Sequence, residues 1–185
     1  MSALTTRAIA LVALFAALIA VGALITIPMF GPVPFTLQVL FVLLAGLILG
    51  PWTGALSVIV YLMLGLIAPV YAGGATGLGA LFGPFGGYLV GFVLAAVVTG
   101  LIGRRASRES VIQLTLAGLA GLVPIYAIGA AWLAWQLHTA NYHSVVWGGI
   151  LQFVPLDTLK AVAAGFAVKA LASLPVGLPA LREPR

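Results

Sequence analysis

The stretch GGILQFVPLDTLKAVAAGFAVKALASL, residues 148–174, carries Asp157 and Lys160 inside an apolar run that is otherwise almost free of charge. Opposite charges at membrane depth are costly, so they usually face a cavity and serve a function. Residues three apart share one face of a helix. The pair therefore presents an acceptor and a donor in one direction, which predicts a site for a small polar group. A structural ion pair that joins two helices is the alternative interpretation.

The composition around this stretch is that of an integral membrane protein. The chain has 185 residues, of which 63% are hydrophobic and only 6% are charged, and its mean hydropathy is +1.26. A soluble domain would carry roughly 25% charged residues. We therefore predict one membrane domain spanning residues 1–185. The absence of cysteine excludes disulfides and thiol catalysis.

Six apolar segments predict an all-α domain with six transmembrane helices. Their predicted bounds are 6–27, 35–50, 53–67, 88–103, 110–136 and 148–174. The first is longer than the roughly 7–15 residues of a signal-peptide core, so we expect an uncleaved span. The second would be about 24 Å long, which is short for a bilayer core of about 30 Å.

The basic residues predict the orientation of these spans. Six of the eight lie before the first span, between the fourth and fifth, or after the sixth, at Arg7, at Arg104, Arg105 and Arg108, and at Arg182 and Arg185. The positive-inside rule then places both termini in the cytoplasm, and the net charge of +5 needs no nucleic-acid partner. If the last helix restarts at Pro155, Asp157 lies in its first turn near the outer side.

The glycine-rich outer connection between the third and fourth spans reads YAGGATGLGALFGPFGGY, residues 71–88. Tyr71 and Tyr88 bracket this segment, and its glycines let backbone N–H groups approach a ligand closely, which makes Gly73 and Gly74 candidate binding residues. A plain re-entrant connection is the alternative. No Gly-Lys-Ser/Thr follows, so we expect no ATP binding by this chain.

Two glutamines near span ends, Gln38 and Gln152, are further candidates. Either one can donate to a ligand or bond a neighbouring helix, and the sequence leaves both interpretations open.

Four alanines of the first span form small-xxx-small pairs, Ala13 with Ala17 and Ala16 with Ala20. Such pairs let helices approach closely. They predict either a docking face for another membrane subunit or internal packing.

Catalysis is not indicated. The only acidic residues are Glu109, Asp157 and Glu183, and hydrolase and metalloprotease motifs are absent. His138 and His143 lie in a polar link with no carboxylate at ligand spacing. We therefore expect neither an enzyme nor a metal site.

Three segments together resemble the BioY family, the biotin-specific S components of energy-coupling factor (ECF) transporters. They are PVPFTLQVLFVLLAGLILGP (32–51), PVYAGGATGLGALFGPFGGYLVGF (69–92) and the late D-x-x-K of Asp157 and Lys160. Phe85 departs from the pattern, which has a threonine there. The resemblance implies six helices and an outward-facing biotin site in a bacterial inner membrane. It also implies a transmembrane coupling protein, docked on the first-span alanines, and two ATPase subunits that alone use ATP.

The chemistry of biotin matches the candidate residues. Asp157 can accept from the ureido N–H groups, and Lys160 can donate to the ureido carbonyl. Phe35, Tyr71, Phe82, Tyr88 and Trp147 are available as walls, while glycine-loop N–H groups, Gln38 or Tyr88 can bind the carboxylate. Binding of the carboxylate by Lys160 is equally sensible. Other interpretations are another vitamin, a proton-coupled secondary transporter with Asp157 as carrier, and a scaffold without a ligand.

Overall fold

The computed structural model describes residues 5–29, 33–138 and 143–173, and most of these are helical. The α-helices are α1 (Thr6–Leu24), α2 (Gln38–Leu49), α3 (Pro51–Gly65), α4 (Gly77–Leu81), α5 (Gly86–Gly103), α6 (Val111–Gln136) and α7 (Val154–Ala172). A 3₁₀ turn covers Ala72–Gly74, a π-helix covers His143–Leu151, and two short strands are β1 (Thr26–Ile27) and β2 (Phe35–Thr36).

Local sequence sets several of the helix ends. The Thr5 hydroxyl accepts from the Ala8 N–H at 3.2 Å, and the Ser110 hydroxyl accepts from the Gln113 N–H at 3.3 Å, so each caps its helix. Gly50 has φ +84°, which turns the chain sharply between α2 and α3. Pro155 lies in the first turn of α7, and the predicted restart of the last helix there is confirmed, with Asp157 in the same turn.

Among the residues that the structure describes, four segments are long and apolar enough to cross a membrane, namely α1, α5, α6 and the run Val145–Ala172. Two further apolar helices, α2 and α3, are shorter, at 12 and 15 residues. Together these six segments lie close to the six predicted spans. That all six cross the bilayer, and in which direction, stays a prediction.

The predicted bounds were wrong where the first two spans meet. Residues 26–27 and 35–36 are strands that pair antiparallel, Thr26 with Thr36 and Ile27 with Phe35. Pro28 and Pro34 adjoin these strands, and a proline disfavours the helical conformation of the residue before it. The sixth predicted span is also not one regular helix, since the π-helix and α7 divide it.

Glycines let α5 and α6 pack closely. A Cβ on Gly91 of α5 would lie 2.8 Å from the Ile125 Cα of α6, closer than two carbons approach without a shift. A Cβ on Gly129 of α6 would collide with the Tyr88 ring of α5. The helix α7 in turn packs against α6 and α2.

Contacts between connections show which helix ends lie together. The Arg108 guanidinium donates to the Leu47 carbonyl at 3.3 Å, so the α5–α6 turn lies beside the α2–α3 turn. At the opposite end, the Gly73 N–H donates to the Thr26 hydroxyl at 3.0 Å. These connections therefore alternate between the two ends of the helices, which is the arrangement expected of a chain with six spans.

The first-helix alanines divide into two faces. Ala16 and Ala20 are buried against the rest of the chain, whereas Ala13 and Ala17 are exposed. The docking prediction therefore needs correction for Ala16 and Ala20, because a side chain packed inside its own protein is not available to a partner. Ala13 and Ala17 remain candidates.

Candidate functional site

A cavity lies where β2, α5, α6 and α7 meet, with part of the glycine-rich connection above it. Its empty volume is about 700 Å³, a figure that includes the solvent space at its open mouth. Its walls are mostly apolar and aromatic. The lining residues are Val33, Pro34, Phe35, Thr36, Gln38, Val39, Tyr71, Ala72, Ala75, Ala80, Phe85, Tyr88, Leu89, Phe92, Ile125, Tyr126, Phe153, Asp157 and Lys160.

The ion pair predicted from sequence lies in the wall of this cavity. Lys160 Nζ is 2.6 Å from Asp157 Oδ1, with the two residues one turn apart on α7. Only 3% of Asp157 and 6% of Lys160 is exposed. Charges this buried persist only when they are paired and hydrogen-bonded.

Each member of the pair also bonds to a second element. The Tyr126 hydroxyl of α6 donates to Asp157 Oδ2 at 2.7 Å. Lys160 Nζ donates to the Thr36 carbonyl of β2 at 2.6 Å and lies 3.9 Å from the centre of the Phe35 ring. The pair is therefore held from both sides, by α6 and by the short hairpin.

These bonds leave capacity for a ligand. A carboxylate has about four acceptor sites and an ammonium has three N–H donors. One site on each Asp157 oxygen is used, by Lys160 and by Tyr126, and Lys160 donates to two oxygens. A ligand group that offers both N–H donors and a carbonyl acceptor can bond to this pair without breaking it.

Gln38 lines the cavity and is fixed by its neighbours. Its Oε1 accepts from the Thr36 hydroxyl at 2.9 Å, and its Nε2 donates to the Tyr61 hydroxyl at 2.6 Å. Since the Thr36 carbonyl accepts from Lys160 and the Thr36 hydroxyl donates to Gln38, Thr36 and Gln38 together link the ion pair to Tyr61 of α3. Gln38 thus serves the helix contact as well as the cavity wall.

Tyr71 and Tyr88 contribute their rings to the cavity and bond their hydroxyls to the protein. Tyr71 donates to the Leu62 carbonyl at 2.6 Å and meets Tyr61 edge-on at 5.7 Å. Tyr88 donates to the Gly149 carbonyl of the π-helix at 2.8 Å. Both hydroxyls already have acceptors, so these residues offer a ligand mainly apolar surface.

Gly73 and Gly74 do not line the cavity. The Gly73 N–H donates to Thr26 and the Gly74 N–H donates to the Tyr71 carbonyl at 2.9 Å. Their φ angles, +67° and +80°, lie in the left-handed region that favours glycine. The structure therefore gives these glycines a conformational role, and a direct contact with ligand stays a prediction.

Three other candidates also lie outside the cavity wall. Phe82 is 59% exposed, and its carbonyl accepts from the Gln136 side chain. Gln152 donates to the Gly148 carbonyl at 2.5 Å, whereas its Oε1 is buried with no hydrogen-bond partner. Trp147 is half exposed. The structure does not bring these side chains together with the ion pair.

Sequence reasoning missed Tyr126 and the aromatic residues Phe92 and Phe153 of the cavity wall. Tyr126 is the only tyrosine of the fifth predicted span, which is otherwise nearly free of polar side chains. That isolation was the one available signal. No group of His, Asp and Glu suited to a metal occurs among residues 5–29, 33–138 and 143–173.

Comparison with known proteins gives consistent matches along almost the whole chain. The model of a family described as the BioY family matches residues 1–175. The "Probable biotin transporter BioY" of Pyrococcus horikoshii is 43% identical over 159 residues, which cover 85% of this chain and 91% of that protein. The "Biotin transporter BioY" of Thermotoga maritima is 43% identical over 164 residues, which cover 88% and 94%.

A solved structure is similar as well. It is the crystal structure of the S component for biotin from an ECF-type ABC transporter, with a TM-score of 0.82 and 30% sequence identity. The match covers 93% of this chain and 96% of that one. These relatives are named as transporters and not as enzymes.

Proposed function

This chain belongs to the BioY family, and on that premise we propose that it captures biotin as the substrate-binding S component of an ECF transporter. The observation that carries the proposal is the buried Asp157–Lys160 pair in the wall of an aromatic cavity. The pair offers acceptors and a donor side by side.

The ureido ring of biotin has the complementary groups. Its two N–H groups are donors and its carbonyl is an acceptor, so the ring meets Asp157 and Lys160 without adding a charge. Binding of the valerate carboxylate by Lys160 would instead add a second anion beside Asp157, which is only 3% exposed. Like charges in a buried site repel strongly. We therefore place the ureido ring at the pair and the carboxylate towards the mouth.

The charge distribution supports a proposal for the direction in which the site opens. We propose that the cavity opens to the outside of the cell membrane, because the arginine-rich α5–α6 turn lies at the other end of the helices. ATP hydrolysis belongs to two ATPase subunits, joined to this chain by a transmembrane coupling protein. The exposed side of α1, with Ala13 and Ala17, is the proposed contact for that protein.

A ligand panel tests the proposal. Detergent-purified protein should be stabilised against heat by biotin and not by thiamine or riboflavin, because a ligand that binds only the folded state raises its unfolding temperature. Native mass spectrometry of the same preparation should show a mass increase equal to biotin. Stabilisation by another vitamin alone would overturn the assignment of the substrate.

Reconstitution tests the dependence on partners. Liposomes that contain this chain alone should not accumulate biotin in response to a pH gradient. Gradient-driven uptake would instead favour a secondary transporter with Asp157 as proton carrier.

A further inference from the structure

Tyr126 is placed to control the geometry of Asp157. Its hydroxyl donates from α6 to Asp157 Oδ2 at 2.7 Å. Its side chain also forms part of the cavity wall. A carboxylate bonded through only one oxygen can rotate about its terminal torsion, which has a broad energy profile. A donor on the second oxygen fixes the plane of the group.

We propose that Tyr126 is a positioning residue that holds the Asp157 carboxylate in the plane needed to accept from ligand N–H groups. Lys160 fixes Oδ1 and Tyr126 fixes Oδ2, so the remaining acceptor sites have a defined direction. This inference rests on the proposed function, because it concerns ligand recognition by the same pair.

The local backbone structure of α6 holds Tyr126 in place beside Asp157. Pro124, two residues before Tyr126, interrupts the helical hydrogen bonding of α6. Next to it, Gly91 of α5 allows the backbone of Pro124 and Ile125 to approach closely. The backbone that carries Tyr126 is therefore packed tightly against α5, which limits its freedom to move away from Asp157.

The test is a double-mutant cycle with Tyr126→Phe and Asp157→Asn, read by the equilibrium affinity for biotin. Tyr126→Phe should weaken binding five- to tenfold in the otherwise native chain. In the Asp157→Asn background it should change the affinity less than twofold, since the group that it positions is gone. Such non-additivity measures the coupling of the two side chains.

A merely structural role gives a different pattern. If the hydroxyl only supports packing, Tyr126→Phe lowers the unfolding temperature of the ligand-free protein. It then also lowers the affinity for biotin by the same factor in the native and the Asp157→Asn backgrounds. An equal factor, or no loss of affinity, overturns the proposal. Should Tyr126→Phe not purify as a folded protein, Tyr126→Met lacks the donor equally and enters the same cycle.

The cycle also separates this inference from the function on which it rests. If Asp157→Asn itself leaves biotin binding unchanged, the assignment of the ion pair as the biotin site fails. If Asp157→Asn weakens binding and Tyr126→Phe does not, only the role of Tyr126 fails.

Discussion

The ion pair in the cavity wall and the part of the glycine-rich connection that lies outside it are built in different ways. At the ion pair, Asp157 and Lys160 are nearly fully buried and bond to α6 and to β2. At the glycine-rich connection, Gly73 and Gly74 adopt left-handed backbone, and a Cβ on either would meet no atom within 4 Å. The ion pair consists of buried polar groups with fixed partners, whereas Gly73 and Gly74 lie on an exposed segment of backbone. The difference teaches that the candidate binding chemistry is concentrated on the buried helices, while these glycines serve the backbone conformation of the connection.

The largest expected effect comes from breaking the ion pair on one side only. Lys160→Met strands the buried Asp157 charge, and removal of one partner of a buried pair costs about 3–5 kcal/mol. We expect a lower unfolding temperature and at least a tenfold loss of biotin affinity. Thermal unfolding and isothermal titration calorimetry in detergent measure the two effects.

The matched control removes both charges. Asp157→Leu combined with Lys160→Met should recover most of the stability, because an apolar replacement of a buried pair is often neutral. It should not recover biotin binding. A double variant that is unstable yet binds biotin normally would show that the pair only joins helices. The contrast between the ion pair and the glycine-rich connection would then disappear.

A smaller effect is expected at the glycine-rich connection. Gly73→Ala and Gly74→Ala each force an alanine into the left-handed region, at a cost of about 1–2 kcal/mol, but should change biotin affinity less than threefold. Gly79→Ala is the matched control, since its Cβ also meets open space but its φ is not left-handed. Biotin affinities of the three variants, measured by calorimetry, test this expectation. A tenfold loss at Gly73 or Gly74 alone would mean that their N–H groups bind the ligand.

The smallest effect is expected at Phe82, whose ring lies outside the cavity wall and is 59% exposed. Phe82→Ala should leave biotin affinity within a factor of two of the native value, as should Leu78→Ala on the same connection. Competition with labelled biotin resolves a difference of this size. A loss confined to Phe82→Ala would show that this ring turns inwards over the bound ligand.

The sequence alone was sufficient to identify the ion pair and the start of the last helix. Asp157 and Lys160 stand out because charge is rare in the chain, and Pro155 predicted the start of α7. Gln38, Tyr71 and Tyr88 were also expected near the ligand, and all three line the cavity.

What the sequence did not reveal depends on how elements meet in space. Tyr126 carries one polar atom on a long apolar helix, and only the packing of α6 on α7 decides that it meets Asp157. The β1–β2 hairpin has two residues in each strand, too few for a periodic pattern. The alanines of α1 recur at helical spacing on two adjacent faces, and only the fold shows which face is inside.

The pairing of Asp157 with Lys160 has an electrical consequence. Of the described residues that line the cavity, they alone are charged, and their charges cancel. A membrane potential does work of about 2.3 kcal/mol on each elementary charge moved through 100 mV. Because the two charges cancel, the membrane potential would do no net work on this pair if both residues moved together through the field.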